Sequence, residues 1–260
     1  MSRSHDRAMR GARPRSRLSP WGVAIEFARP LALLGLYVVA WTHGLRVAAA
    51  FVALAAVFAA SVLVHDLIHG SLGLPRRMNE VALSVAALLL VKSGHGLRAL
   101  HFAHHRRCLE EDDVEGRVAH ASFASLLVRG PALAVQARFE AFRAERRTRA
   151  VQVLETMANL ALLVMAAWTG WHAALVYGGA VVLVTITAPV WGAKIPHMVP
   201  WNHPVVRRLA TLTGRMTPAA ASVLLHELHH RYPRIPVSLL PANAALLDES
   251  DPSRCREVAR

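Results

Sequence analysis

"LLHELHHRYPRIP", residues 224–236, supports two incompatible readings. As His226-Glu227-x-x-His230 it is the H-E-x-x-H of a zinc protease, in which two imidazoles hold one metal and the glutamate is the base. As His226-x-x-His229-His230 it places three imidazoles within an arc of about 100° on one helix, a fragment of a larger histidine cage. The string alone does not choose between them. The choice rests on what the remaining chain supplies.

The chain has 260 residues, 54% of them apolar, and its mean hydropathy is positive, which makes it greasier than soluble proteins usually are. No Gly/Ser linker, low-complexity tract or internal repeat divides it. One domain over 21–247 is expected, between a basic tail (1–20) and a polar tail (248–260). Cys108 and Cys255 are too few for a disulfide framework and form no C-x-x-C pair, so both read as reduced thiols.

Four apolar runs approach the roughly 20 residues needed to cross a bilayer. They cover about 21–41, 47–64, 151–168 and 172–190. Glu26, Arg29 and Pro30 weaken the start of the first, whereas the second carries no charge. The short connections "THGLR" and "TGW" make two hairpins. Residues 78–91 are apolar but too short to span, and read as a helix that lies in the interface or re-enters it. The expected fold is all-α and integral to the membrane: four transmembrane helices in two hairpins, with a cytoplasmic histidine-rich helical cap.

Charge gives the orientation. Of the 30 Lys and Arg, 28 fall before residue 21, in 65–150 or after 190, and the two hairpin turns hold only Arg46. The positive-inside rule makes the charged side cytoplasmic, with both termini and the caps there. The net charge of +13 thus reflects topology. Nothing resembles a basic, groove-reading face, so nucleic acid is not an expected partner. The arginine-rich start reads as a tail meeting anionic lipid rather than a transit peptide.

The chain has 15 histidines, and three groups of them sit on the expected cytoplasmic side. "HDLIHG" supplies His65 and His69, "HFAHHRR" supplies His101, His104 and His105, and "HELHH" supplies His226, His229 and His230. Helical spacing aims each group in one direction, so three helices can converge on one centre. A lone histidine is more often a cap or a satisfied core residue; three clustered groups are not. His95 precedes His101 by six positions and points away from that face.

One tetrahedral zinc needs four ligands at most, so the protease reading leaves His229 and two whole groups unused. A carboxylate di-iron site would need Glu-x-x-His on two helices and two further glutamates; only Glu227 with His230 qualifies. Asp66 and Glu227 read instead as acids that accept a ring N–H and fix the aim of an imidazole. A metal transporter would place polar groups along the spans, and the second and third spans have almost none.

In order, H-x-x-x-H, H-x-x-H-H and H-x-x-H-H separated by membrane hairpins resemble the integral-membrane fatty acid desaturase superfamily, which includes carotenoid ketolases and hydroxylases. The resemblance runs from about Ala60 to Pro241. It includes "HDLIHGSL", the acidic run "EEDDVEG" after the second group, and "HHRYPRIP" after the third. It implies two iron ions held almost entirely by histidine, with O2 as co-substrate and a lipid C–H bond as target.

The resemblance also implies a ninth ligand, His197 of "GAKIPH". Some relatives carry an asparagine one turn earlier to hold an iron-bound water, where this chain has Ala193. Lipid is expected to enter from the bilayer, with residues 78–96, including "KSGHG", lining its tunnel. Fatty acyl desaturation is the leading reading and carotenoid ring hydroxylation or ketolation the alternative. No cytochrome b5 H-P-G-G, iron–sulfur cysteine spacing or Rossmann fingerprint is present. Electrons are expected from a separate ferredoxin or cytochrome b5 type donor.

Overall fold

The computed structural model describes residues 15–110, 112–113, 115–214, 217–244 and 247. The described chain is helical without strands, and four helices are long and apolar enough to cross a membrane: Pro20–Thr42, Arg46–His69, Arg146–Trp168 and His172–Met198. Each matches an expected span. Two continue well past the ends that hydropathy indicated, and the third starts earlier, at Arg146. The second, α2 (Arg46–His69), continues until Gly70 ends it with a left-handed φ of 63°, so the first histidine group lies on the span itself rather than after it. The fourth is composite: α7 (His172–Ala188) runs through a π-helical turn, Pro189–Lys194, into α8 (Ile195–Met198).

Small residues bring the first pair together. On α2, Ala49, Ala53, Ala56 and Ala60 repeat every three or four positions and are fully buried, letting α1 (Pro20–Thr42) approach closely. Ile25, Leu31, Leu36, Val39 and Phe51 point outward, as lipid-facing side chains do. The charges that weaken the first span answer one another, for Arg29 pairs with buried Glu26 one turn away. Tyr37 Oη donates to Ala173 O and ties the first long helix to the fourth.

Between the second and third long helices in sequence, α3 (Arg76–Leu88) and α4 (Gly94–Arg107) form a shorter pair. Its tip is held by span residues: Tyr177 Oη donates to Leu89 O at 3.0 Å and Asn159 Nδ2 to Lys92 O at 3.1 Å. Both donors lie on candidate spanning helices, α7 and α6 (Arg149–Trp168), so the tip is held against two of the four long apolar helices. At the tip Val91 has φ 50°, a conformation that costs a β-branched residue energy and persists only where the surroundings impose it. Gly94 lets the two helices touch, since a Cβ there would stand 2.7 Å from Leu83 O.

Glu155 of α6 joins this pair to the spans. It accepts from Ser84 Oγ and Ser93 Oγ, and its Oε1 lies 2.7 Å from His95 Nδ1. Glu80 engages the other ring nitrogen of His95 at 2.9 Å. His95 is therefore a structural residue facing away from the other histidines, as its spacing indicated. Next comes α5 (Phe123–Ala144), packed so tightly on α7 that a Cβ at Gly130 would fall 2.0 Å from Ile186 O.

The last described helices, α9 (Pro204–Gly214), α10 (Pro218–Leu224), α11 (His226–Arg231) and α12 (Leu240–Asn243), surround a small core of Trp201, Leu225, Leu228 and Leu240. One expectation is corrected: Cys108 is not a free thiol but disulfide-bonded. Cys255 and the tails at 1–14 and 248–260 lie outside the described residues.

Candidate metal centre

The nine expected histidines reach one place from four directions. His65 and His69 come from the end of α2, His101, His104 and His105 from α4, and His226, His229 and His230 from α11. His197 arrives on α8, past the π-helical turn. Such a turn adds a residue to the helical register and re-aims everything after it.

The nine expected ligands divide into two fours and a bridge. Ring nitrogens of His65, His69, His101 and His229 lie within 4.8 Å of one another, and those of His104, His197, His226 and His230 do the same. His105 stands between them. Its Nε2 is 3.0 Å from that of His101 and 3.2 Å from that of His229, and its ring stacks on His230 at 4.2 Å.

These contacts join like atoms. His101 Nε2 lies 2.9 Å from His69 Nε2, His104 Nε2 is 3.1 Å from His230 Nε2, and His230 Nε2 is 3.0 Å from His226 Nε2. A neutral imidazole has one N–H and one lone pair. Where its Nδ1 is the donor, its Nε2 brings a lone pair to the centre, and facing lone pairs repel unless a cation lies between them. In addition, His65 Nδ1, His229 Nδ1 and His197 Nε2 are buried without a hydrogen-bond partner, which a protein interior tolerates poorly. The residues fit a pair of metal ions.

The outer nitrogens are held by acids that sequence reasoning left unassigned. Asp113 Oδ2 lies 2.7 Å from His104 Nδ1 and also accepts from Leu109 N at 2.8 Å. Glu115 Oε2 lies 3.3 Å from His101 Nδ1. Both acids belong to "EEDDVEG", the run immediately after the second group, which was the available signal. Asp66, expected beside an imidazole, is instead a brace. Its Oδ1 accepts from Ser71 Oγ at 2.9 Å and from Val237 N at 3.1 Å, fastening the first group to the chain beyond the third. Glu227 accepts from Arg231 at 3.3 Å, and Arg231 lies over the Trp201 ring.

Burial sets the protonation. It drives His101, His226, His229 and His230 well below the usual imidazole pKa, helped by neighbouring imidazoles, and carries His105 down to about 3. These rings are neutral and ready to donate lone pairs. At His104 burial acts in the same direction, but the bond to Asp113 and the Glu115 and Asp113 charges outweigh it and raise the pKa. Asp113 is the converse, with burial opposing its charge and His104 holding its pKa down. Burial lifts Glu115 to about 6.

A cavity of about 760 Å³ opens beside the histidines, with His65, His101, His104, His226 and His229 among its lining residues. Of the expected stretch 78–96, Leu90, Lys92, Ser93 and Gly96 line it as well, and 78–89 do not. Its volume is in the range of small-molecule sites, about 300–1,000 Å³.

A family model described as fatty acid desaturase matches residues 40–258. No curated protein and no solved structure matches the chain.

Proposed function

The chain belongs to the fatty acid desaturase family, and we propose that it is a membrane di-iron oxidoreductase that uses O2 and external electrons to desaturate a fatty acyl chain. The observation that carries this reading is the opening of two four-histidine groups onto a single, largely apolar cavity.

His65, His69, His101 and His229 would hold one iron and His104, His197, His226 and His230 the other, with His105 placed to serve either. Imidazole suits iron, and two separated groups of four exceed what a single zinc takes. When bound, the irons supply reduction of O2 to an oxidant strong enough for an unactivated C–H bond. Over the whole reaction the substrate gives up two hydrogens, an outside donor gives two electrons, solvent gives two protons, and one O2 becomes two waters.

The protein's own share is position and dryness. Asp113 and Glu115 fix the tautomer and aim of His104 and His101 through their Nδ1 atoms. Asp66 locks the segment after the third group to the first. The apolar wall keeps water from the reacting carbon and holds a flexible chain against the histidines.

Metal analysis of the purified protein, with mass spectrometry of lipids and pigments from cells with and without the chain, tests this. Two irons per chain and an O2-dependent loss of two hydrogens from an acyl lipid are expected. An oxygen gain would make the enzyme a hydroxylase; zinc in place of iron, with unchanged lipids, would end the reading.

A further inference from the structure

The cavity has two unlike ends. Its lining includes Phe58, Val62 and Trp191, with Val62 buried, whereas Phe139 and Phe142 of α5 and Val153 and Met157 of α6 are exposed. With the four long apolar helices in a membrane, that exposed side would face the bilayer and serve as the cavity's mouth.

Two cations also line this cavity, Lys92 from the tip of the α3–α4 pair and Arg138 from α5. Lys92 Nζ has no ion pair or hydrogen bond among the described residues. Arg138 is exposed and spends one donor on Val91 O at 3.3 Å. The two act on each other as like charges, and the acid that acts on Lys92 is Glu115, already engaged with His101. The Lys92 backbone is fixed on both sides, by Asn159 on Lys92 O and by the strained Val91 before it. A cation held unpaired at span level costs several kcal/mol and is kept where it meets a partner. An anion would satisfy both cations at once.

We propose that Lys92 and Arg138 grip the anionic head, a carboxylate or phosphate, of an acyl-chain lipid at the cavity mouth, so that its chain runs inward past the histidines. Calling that lipid the substrate rests on the desaturase reading; the anion site does not. A neutral carotenoid has no group to offer these cations, so the pair also selects acyl lipid over pigment.

The test is binding to the purified, iron-loaded protein. Trp191 lines the cavity, so its quenching by 9,10-dibromostearate reports an occupied cavity, read as the difference between the parent and a Trp191→Phe control. The parent should bind dibromostearate about tenfold more tightly than its methyl ester, the effect of one charge-assisted contact. Lys92→Gln and Arg138→Gln should lose that preference while keeping ester affinity, and Lys92→Arg should retain it. Brominated phosphatidylglycerol compared with brominated phosphatidylcholine separates a phosphate head from a free carboxylate.

Equal affinity of the parent for acid, ester and both phospholipids overturns the proposal without recourse to any variant. So does an undiminished preference in both Gln variants with parental helicity and iron content. A protein that prefers the acid yet oxidises no lipid would sink the oxidase reading and leave the anion site. One that desaturates while treating charged and neutral lipids alike would do the reverse.

Discussion

His104 Nδ1 and Asp113 Oδ2 lie 2.7 Å apart, both side chains almost completely buried. The acid stands nine residues after the histidine and turns back to it across the end of α4. Its other contacts are backbone amides, Leu109 N and Glu115 N, so it holds a loop and an imidazole together. Gly116 leaves room for this, since a Cβ there would stand 2.1 Å from Asp113 Oδ2.

Asp113→Ala is therefore expected to reduce metal affinity or turnover by about 10- to 100-fold, the usual cost of losing the partner of a ligating histidine. Asp66→Asn, which removes a brace and not an imidazole partner, should lower thermal stability more than iron content per folded chain. Iron per chain and melting temperature, measured on both variants, check the contrast. Equal iron loss in the two would mean that Asp113 has no special hold on the centre.

Replacing His65, His69, His101, His104, His105, His197, His226, His229 or His230 by alanine is expected to remove most of the activity and lower bound iron. His95 gives the sharper comparison. It is as buried as the others but paired with Glu155 and Glu80, so His95→Ala should weaken folding while a folded fraction keeps its iron. His43 and His172 at the hairpin turns should tolerate the change. Full activity in two or more of the nine variants would dissolve the cage.

Helical spacing made the histidine faces legible, because i, i+3 and i+4 share a side of any helix. It also separated His95 from its neighbours. Spacing says nothing about which loop returns to which ring, and so Asp113 and Glu115 were visible only as an acidic run, while Asp66 was assigned by proximity in sequence. Hydropathy located the four spans but stopped the second at Val64, because a histidine scores as polar whether it meets water or other imidazoles. Lys92 was hidden for a related reason: a lysine in a short polar turn reads as solvated until the turn is seen pinned by Tyr177 and Asn159.

Close packing of α5 on α7 depends on one missing methyl group. Since a Cβ at Gly130 would overlap Ile186 O, and backbone cannot swing aside as a side chain can, Gly130→Ala should cost about 1–3 kcal/mol, the usual penalty for overpacking. Thermal unfolding in detergent would show it. Gly179, whose Cβ would meet nothing within 4 Å, is the control and should tolerate alanine.

The positive-inside distribution predicts which loops face which compartment. Single cysteines at exposed His43 or Thr169 should react with an impermeant reagent added outside intact cells, above the level of the parent chain. Cysteines at exposed His120 or Ala242 should react only after permeabilisation. The reverse pattern would turn the molecule over and place the histidines outside the cytoplasm.

The remaining prediction concerns how electrons arrive. The end of α5 and the segment after it expose Arg143, Arg146 and Arg147, with Arg143 3.7 Å from Glu140 and the Arg149 guanidinium over the Phe142 ring. Arg146 and Arg147 have no ion pair among the described residues and adjoin the cavity mouth, where Phe142 lies. An acidic ferredoxin or cytochrome b5 would be steered toward such a patch, raising its encounter rate by about 10-fold or more at low ionic strength. Phospholipid head groups would use the same charge as an anchor, each arginine contributing about 1 kcal/mol. Arg146→Glu with Arg147→Glu distinguishes the two. If the patch is a docking surface, turnover driven by an acidic donor falls and loses its salt dependence, while iron content, membrane insertion and turnover with a small neutral reductant stay at parental values. If rate and salt dependence are both unchanged, the arginines serve the membrane and the donor docks elsewhere.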